Sequence, residues 1–362
     1  MQEKIIRLTS SSIWARNLAH ESVVLIATSG LAKQPVKGRG ENMKKIALIL
    51  ATAMLISAHN VMAESYVISV NQFVEHPALD AVLKGLQDYL TDNGVTTEFK
   101  VHNAQANMGT ATQIGQQMIG EKADLLVAIA TPSAQATAQA LSKAPLEMKR
   151  PFLFTAVTDP VAAGLVEALD KPSEYITGVS DLLPLDKHME MIMTYKPDIK
   201  KLGVLYNAGE ANSKATVATL KEMSGKMGFK VVEATAAKTA DVYTAAKSLV
   251  GRCDAVFIPT DNTIVSALES VLKVGTQNKL PIFAADVDSV ERGAVAAMGF
   301  DYYKHGYQTG AMAKKILEGT SPAKLPVESQ EELQLQINLK AAASMGAEPP
   351  EILVDSATKL YK

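Results

Sequence analysis

Short apolar runs rich in β-branched residues recur along the chain at 66–70 (YVISV), 96–101 (TTEFKV), 125–130 (LLVAIA), 152–157 (FLFTAV) and 176–181 (ITGVSD). A second series follows at 202–206 (LGVLY), 230–235 (KVVEAT), 255–259 (AVFIP), 281–285 (PIFAA) and 294–300 (AVAAMGF). Between most of them lie segments of ten to seventeen residues with apolar positions at helical spacing. In 211–227, for example, Val217, Leu220, Met223 and Met227 fall on one face. Strands alternating with helices at this interval predict βαβ units and parallel sheets covered on both sides. About ten strands exceed one comfortable domain, so the pattern predicts two α/β domains. The break falls near Asp181-Leu182-Leu183-Pro184, after five strands, and the helix at 185–195 opens the second series. No glycine/serine linker separates the halves, which predicts a close hinge. Beyond residue 326 come one more strand-like run, 333–339, a short helix and the Pro349-Pro350 break.

The first 63 residues follow a different pattern. From Met43 the chain reads MKKIALILATAMLISAHNVMA-ES, with Lys44 and Lys45 before thirteen apolar residues and a small-x-small site ahead of Glu64. These are the three parts of a secretory signal peptide, so 43–63 is expected to be removed on export. The apolar run is too short for a stable membrane span and shows no polar face that would make it an ordinary amphipathic helix. No cysteine follows the cleavage site, which argues against a lipid anchor. The 42 residues before Met43 are polar and unpatterned and end in Gly-Arg-Gly-Glu-Asn. They are expected to be a mis-assigned upstream extension, 1–42, with translation starting at Met43; peptides from residues 2–42 in the precursor would overturn this. The mature chain is then expected to be periplasmic and not inserted in the membrane.

This division changes the composition. The whole chain has net charge −2, but the leader holds eight Lys/Arg and three Asp/Glu, leaving 28 basic and 35 acidic residues and a charge of −7. The single tryptophan, Trp14, leaves with the leader. An acidic mature chain disfavours nucleic acid and anionic lipid as partners. One cysteine, Cys253, rules out an intramolecular disulfide framework or a multi-cysteine metal site.

In open α/β sheets ligands bind beyond the carboxyl ends of the strands, where loops and helix N-termini present backbone N–H groups. The residues expected there are Asn71-Gln72-Phe73, Thr131-Pro132-Ser133-Ala134-Gln135 and Thr158-Asp159-Pro160 in the first half. In the second half they are Asn207 to Asn212, Thr260-Asp261-Asn262-Thr263 and Asp286. The set is polar without a lysine or arginine, and neither GxxxxGK[ST] nor GxGxxG occurs, so a small neutral or zwitterionic ligand fits better than a phosphate or nucleotide. Structural roles compete with this at each position: Thr131 and Ser133 flank a proline suited to a helix start, the Thr-Asp turns suit caps, and Phe73 suits a core.

The runs VAIATPSAQA, FTAVTDPVAAGLV, ITGVSDLLP, VLYNAGEANS, IPTDNTIVSA, PIFAAD and MGFDYYKHGYQTG occur in order across 65–345. Together they resemble the tryptophan/tyrosine-type substrate-binding proteins of ABC transporters. The resemblance implies a type I periplasmic-binding-protein fold, two Rossmann-like lobes joined by three crossovers near 181–184, 287–293 and 325. Lobe 1 would then be 64–183 plus 291–325, with strand 294–300 and helix 302–318 returning to it, and lobe 2 would be 184–290 plus 326–362. It also implies a monomer that captures an amino acid, aromatic by family pattern, between the lobes and delivers it to an ABC permease, with no cofactor and no metal. On that reading the ligand carboxylate meets Thr131 to Ala134 at a helix N-terminus, and its ammonium meets Asp286 or, second, Asp261. Asp286→Asn is expected to weaken binding more than tenfold. Thr155, Thr158, Asp159, Asn207, Asn212 and Asn262 complete the polar shell, and Gln72 and Phe73 cover the side chain. An aliphatic amino acid or a sugar, sensed for a receptor, is the alternative.

An enzyme is the first rival. His76, His102, His188 and His305 are scattered without triad or HExxH spacing, no GxSxG occurs, and Cys253 stands at a strand entrance, the wrong end for a nucleophile. No catalytic residue is therefore expected. A sugar-responsive transcription regulator shares the two-lobed plan but needs a helix-turn-helix where this chain carries an export signal.

Overall fold

The computed structural model describes residues 65–362. The expected signal peptide, 43–63, and the expected upstream extension, 1–42, lie outside the described residues. Strand β1 (Tyr66–Gln72) leads through α1 (Pro77–Asp92) to β2 (Thr97–Asn103), α2 (Met108–Gly120), β3 (Leu125–Ile129), α3 (Thr131–Lys143), β4 (Phe152–Val157) and β5 (Ile176–Ser180). Then come α4 (Leu185–Tyr195), β6 (Lys201–Tyr206), α5 (Ala211–Met227), β7 (Lys230–Thr235), α6 (Val242–Lys247), β8 (Ala255–Ile258), α7 (Asn262–Ser266) and α8 (Leu268–Asn278). The chain closes with β9 (Ile282–Ala284), α9 (Asp288–Arg292), β10 (Ala296–Gly299), α10 (Tyr302–Leu317), β11 (Glu328–Ser329), β12 (Gln334–Asn338), α11 (Leu339–Met345), α12 (Glu351–Ser356) and β13 (Lys359–Tyr361).

Two sheets result. The first runs β11-β5-β4-β3-β1-β2, all parallel, and the second β13-β12-β10-β9-β8-β6-β7, parallel except where β10 meets β12. Helices cover both faces, so β3 (LLVAI) and β4 (FLFTAV) are buried at every position, as continuous apolar runs require. Each sheet has its own core, one gathered on Val127, Phe152 and Phe154 and the other on Val204, Phe257 and Phe283. This is the two-lobed, type I periplasmic-binding-protein architecture that the strand pattern and the resemblance predict. In each sheet the strand order reverses once, at β1/β3 and at β6/β8, and there the loops leaving the strands diverge to leave room for a ligand.

The chain passes between lobes at 181–184, at Phe300-Asp301 and between β11 and β12. Two expected boundaries are corrected. Strand 294–300 was assigned to lobe 1, yet β10 pairs with β9 at Ala297 and Ala284 and runs antiparallel to β12, inside the second sheet. Ala294 to Ala297 are fully buried there. Small residues on both faces fit the narrow space under the covering helices, and their apolar run looks the same for either sheet. The crossover expected at 287–293 is therefore at 300–301, where the Asp301 carboxylate caps α10 by accepting from the Lys304 N–H. Residues 328–329, assigned to lobe 2, add an edge strand to the first sheet beside β5.

The returning helix α10 lies unusually close to α1. Side chains at Gly85, Gly306 and Gly310 would overlap the Tyr303 carbonyl, the Val82 carbonyl and the Tyr89 side chain respectively. Glycine at these three points lets the two backbones approach, and this packing fixes Tyr302, the first residue of α10, at the floor of the interlobe cleft.

Candidate functional site

The strand ends of the two lobes meet around a small polar cavity of about 20 Å³. The first lobe contributes His76, Ala78 and Leu79 at the start of α1, and Ala156 and Thr158 at the end of β4. Asp181 and Tyr302 come from the first and second crossovers, and Asn212, Thr260, Asp261, Asn262, Val265 and Asp286 from the second lobe. The walls are joined across the cleft by the hydroxyls of Thr158 and Thr260, 3.0 Å apart.

Local backbone shapes these walls. The register of β4 against β5 slips between Thr155 and Val157, and Ala156 takes φ 51°, a left-handed conformation that costs a non-glycine residue of order 1 kcal/mol. That kink carries Thr158 into the cleft. It also points the Ala156 N–H at His305 Nε2, 3.1 Å away. To accept this bond Nε2 must be unprotonated, and burial holds the His305 pKa down at about 4.

Three buried polar atoms lining the cavity have no hydrogen-bond partner within the protein: His76 Nδ1, Asp181 Oδ1 and Asn212 Oδ1. Buried polar atoms are ordinarily paired, so unpaired ones converging on one cavity mark it as a place where another molecule supplies the partners. Asp181 is 3% exposed, and its Oδ2 accepts from the Tyr302 hydroxyl at 2.9 Å. Burial pushes the Asp181 pKa up, with the Asp286 carboxylate adding to the effect. Asn212 donates to the Thr260 carbonyl at 2.6 Å, which turns its carbonyl oxygen toward the cavity. Burial, helped by Arg292, drives the His76 pKa down to about 3, so this ring is neutral. His76 is also the N-cap of α1 and makes no side-chain cap, leaving the first-turn amides, those of the cavity-lining Ala78 and Leu79 among them, without helical partners. One wall thus presents N–H donors and positive helix-end potential, while the floor and the far wall present carboxylate and amide oxygens.

A carboxylate frame holds the second lobe's wall. Asp261 accepts from the N–H groups of Asn207 (2.6 Å) and Ile264 (2.8 Å) and from the Ser213 hydroxyl (2.6 Å). Glu210 accepts from the backbone N–H and side chain of both Asn262 and Thr263. These bonds tie the β6 and β8 loops together; burial and the adjacent Glu210 push the Asp261 pKa up.

A second, larger cavity of about 370 Å³ begins at Thr158 and Thr260 and runs along the first crossover. Leu182, Leu183, Leu185, Met223 and Phe257 form its apolar walls, and Asp159 and Asp186 are its charged members. His188, beneath it, is buried and packs on Phe257, with ring nitrogens 3.3 and 3.4 Å from the Pro184 and Ala285 carbonyls.

Residues 67–361 match the family described as ABC transporter substrate binding protein. The chain belongs to that family. It is a substrate-binding protein and not an enzyme, working outside the cytoplasm with a small-molecule ligand and an ABC permease. No helix among the described residues is long and apolar enough to cross a membrane. A tyrosine-binding protein of Clostridioides difficile (strain R20291) is 42% identical over 275 residues, 75% of this chain and 78% of the relative. The structure of an ABC domain in complex with L-Trp from Streptococcus pneumonia is 33% identical, covers 81% of this chain and 99% of its own, and superposes with a TM-score of 0.76. A ligand-free, open structure of a substrate-binding protein with adhesive properties from Clostridium difficile is more similar in sequence, 40% with 82% and 99% coverage, yet superposes at only 0.60. Sequence similarity alone would reverse that order. In the binding protein described here the lobes touch across Thr158 and Thr260.

Of the strand-end residues the sequence singled out, Thr158, Asn212, Thr260, Asp261, Asn262 and Asp286 line the polar cavity, and Thr158, Asp159 and Thr260 line the larger one. The others line neither. Phe73 is 1% exposed in the first lobe's core, and Gln72 donates to Asp80 and the Val74 carbonyl. Ser133 donates to Asn71 Oδ1 at 2.9 Å, and Ala134 is fully buried, so the start of α3 packs inside the lobe. Thr131 is buried there with no partner for its hydroxyl. Thr155 pairs with Thr309 at 2.8 Å, and Asn207 braces the turn through Thr263 and the Gly209 N–H. Asp286 accepts from the Ser289 N–H and hydroxyl in the first turn of α9 and keeps lone pairs for the cavity it lines. Sequence reasoning missed Asp181, His76 and Tyr302. Asp181 ends the run 176–181 and satisfies the strand-end rule, but in the sequence it coincides with the break between the two series of strands. His76 stands four residues beyond its strand, and Tyr302 reaches the cleft through a crossover that the sequence misplaced.

Proposed function

We propose that this substrate-binding protein captures an aromatic amino acid between its lobes and presents it, as a monomer exported to the periplasm, to an ABC permease. The observation that carries the reading is the cavity's polarity: unpartnered Asp181 and Asn212 oxygens face the uncapped start of α1. That arrangement suits a zwitterion, its ammonium on Asp181 with Asp286 beside it and its carboxylate on the α1 amides. Compared with the expectation from sequence, the anion site moves from the start of α3 to the start of α1, and Asp181 replaces Asp286 as the leading ammonium partner. A tyrosine-binding relative and an L-Trp complex, both above 30% identity, support the aromatic class.

Ligand contacts from both lobes favour the closed arrangement, because only that arrangement makes all of them. The test is a thermal-shift screen of the purified protein, unfolded and refolded first to remove retained ligand, against the amino acids and common sugars. A ligand at a hundred times its Kd adds about 2.7 kcal/mol. Tyrosine or tryptophan should raise Tm clearly, and silence from every amino acid rejects the reading.

A further inference from the structure

We infer that the cavity of about 370 Å³ along the first crossover receives the ligand's aromatic side chain, and that its walls rather than the polar cleft set side-chain selectivity. This rests on the amino-acid reading of the cleft. The polar cavity, about 20 Å³ with the lobes in contact across it, is far too small for a phenol or indole. The larger volume reaches the lower end of the range for small-molecule sites. Both cavities are lined by Thr158 and Thr260, so they meet at the hydroxyl pair that joins the lobes. A ligand anchored at Asp181 that parts these two hydroxyls extends directly into the larger space.

The chemistry of the lining agrees with a side chain rather than a whole zwitterion. Leu183, Leu185, Met223 and Phe257 offer apolar surface, and Met223 and Phe257 can pack on an aromatic ring. No lysine or arginine lines the cavity, while Asp159 and Asp186 do, so a ligand carboxylate is repelled and stays at the α1 end. The walls come from the first lobe (Thr158), the crossover (Leu182 to Asp186) and the second lobe (Thr216, Met223, Phe257). A ring held there touches all three, so ring recognition and lobe closure are one event.

The test is calorimetric titration of wild type, Thr216→Trp and Leu185→Trp with L-tyrosine and L-tryptophan. The two variants fill the cavity from two different elements of its lining, and their melting curves in the absence of ligand confirm folding. Both should bind at least tenfold more weakly than wild type. If the wild type binds and either folded variant keeps wild-type affinity, the side-chain assignment is overturned while the amino-acid reading stands. If the wild type binds no amino acid, both fail together. Should one variant not fold, the other decides by the same criterion.

Discussion

Two buried aspartates in one cleft wall and floor differ in what their oxygens already do. Asp261 accepts three bonds from Asn207, Ser213 and Ile264, whereas Asp181 accepts one from Tyr302 and leaves Oδ1 unpaired. The consequences of removing the charge should separate accordingly. Asp261→Asn turns an acceptor into a donor facing other donors and should destabilise the protein by about 1–3 kcal/mol. Asp181→Asn should leave Tm nearly unchanged but weaken tyrosine or tryptophan binding more than tenfold, because the ligand ammonium loses its charged partner. Melting curves and calorimetry on both variants check this; a weakly binding Asp261→Asn protein of wild-type stability would reverse the assignment. Such a division is invisible in the sequence, where Thr260-Asp261-Asn262 and Ser180-Asp181-Leu182 look alike as polar strand ends. The strand-end rule locates both, but only three-dimensional partners show which carboxylate is free. The same holds for Ser133, which reads as a cap or an anion donor until its bond to Asn71 is seen.

At the scale of elements, the alternation of strands and helices was legible because parallel strands buried on both faces leave continuous apolar runs. All ten predicted runs are strands, and only the edge strands β11 and β13, too short and too exposed for a pattern, were not anticipated. Membership of β10 was not legible, since Ala-Val-Ala-Ala is compatible with either sheet. The α1–α10 contact is a further case: nothing in a single sequence distinguishes Gly306 from Gly225, although their substitutions should have opposite effects. Gly306→Ala drives a methyl group into the Val82 carbonyl and should cost about 1–3 kcal/mol or more through overpacking. Gly225→Ala, within α5 with open space around it, should stabilise by roughly 0.5–1 kcal/mol. Urea midpoints of the two variants, compared with wild type, give the signs directly. Equal midpoints would mean that α10 does not rest on α1 as described.

For the whole molecule, buried carboxyl groups gather where the two lobes meet, and this makes stability and binding respond to pH in opposite directions. Burial, with Asp286 and Asp301 nearby, pushes the Asp288 pKa from 3.8 up to about 7. The folded state therefore holds a proton that the unfolded chain has released, and this contribution to stability is complete below pH 4 and lost as pH rises through 7. Without ligand, Tm should fall across that window, and Asp288→Asn should flatten the fall. Ligand binding runs the other way. Burial raises the Asp181 and Asp286 pKa values as well, and an ammonium between them favours their ionised forms, so binding releases protons and strengthens as pH rises. The increase in Tm caused by tyrosine or tryptophan should accordingly be larger at pH 8 than at pH 5. Calorimetry in two buffers of different ionisation enthalpy should register the proton release. A ligand-induced increase that is the same at both pH values, with no buffer dependence, would mean that the ammonium does not sit on these carboxylates.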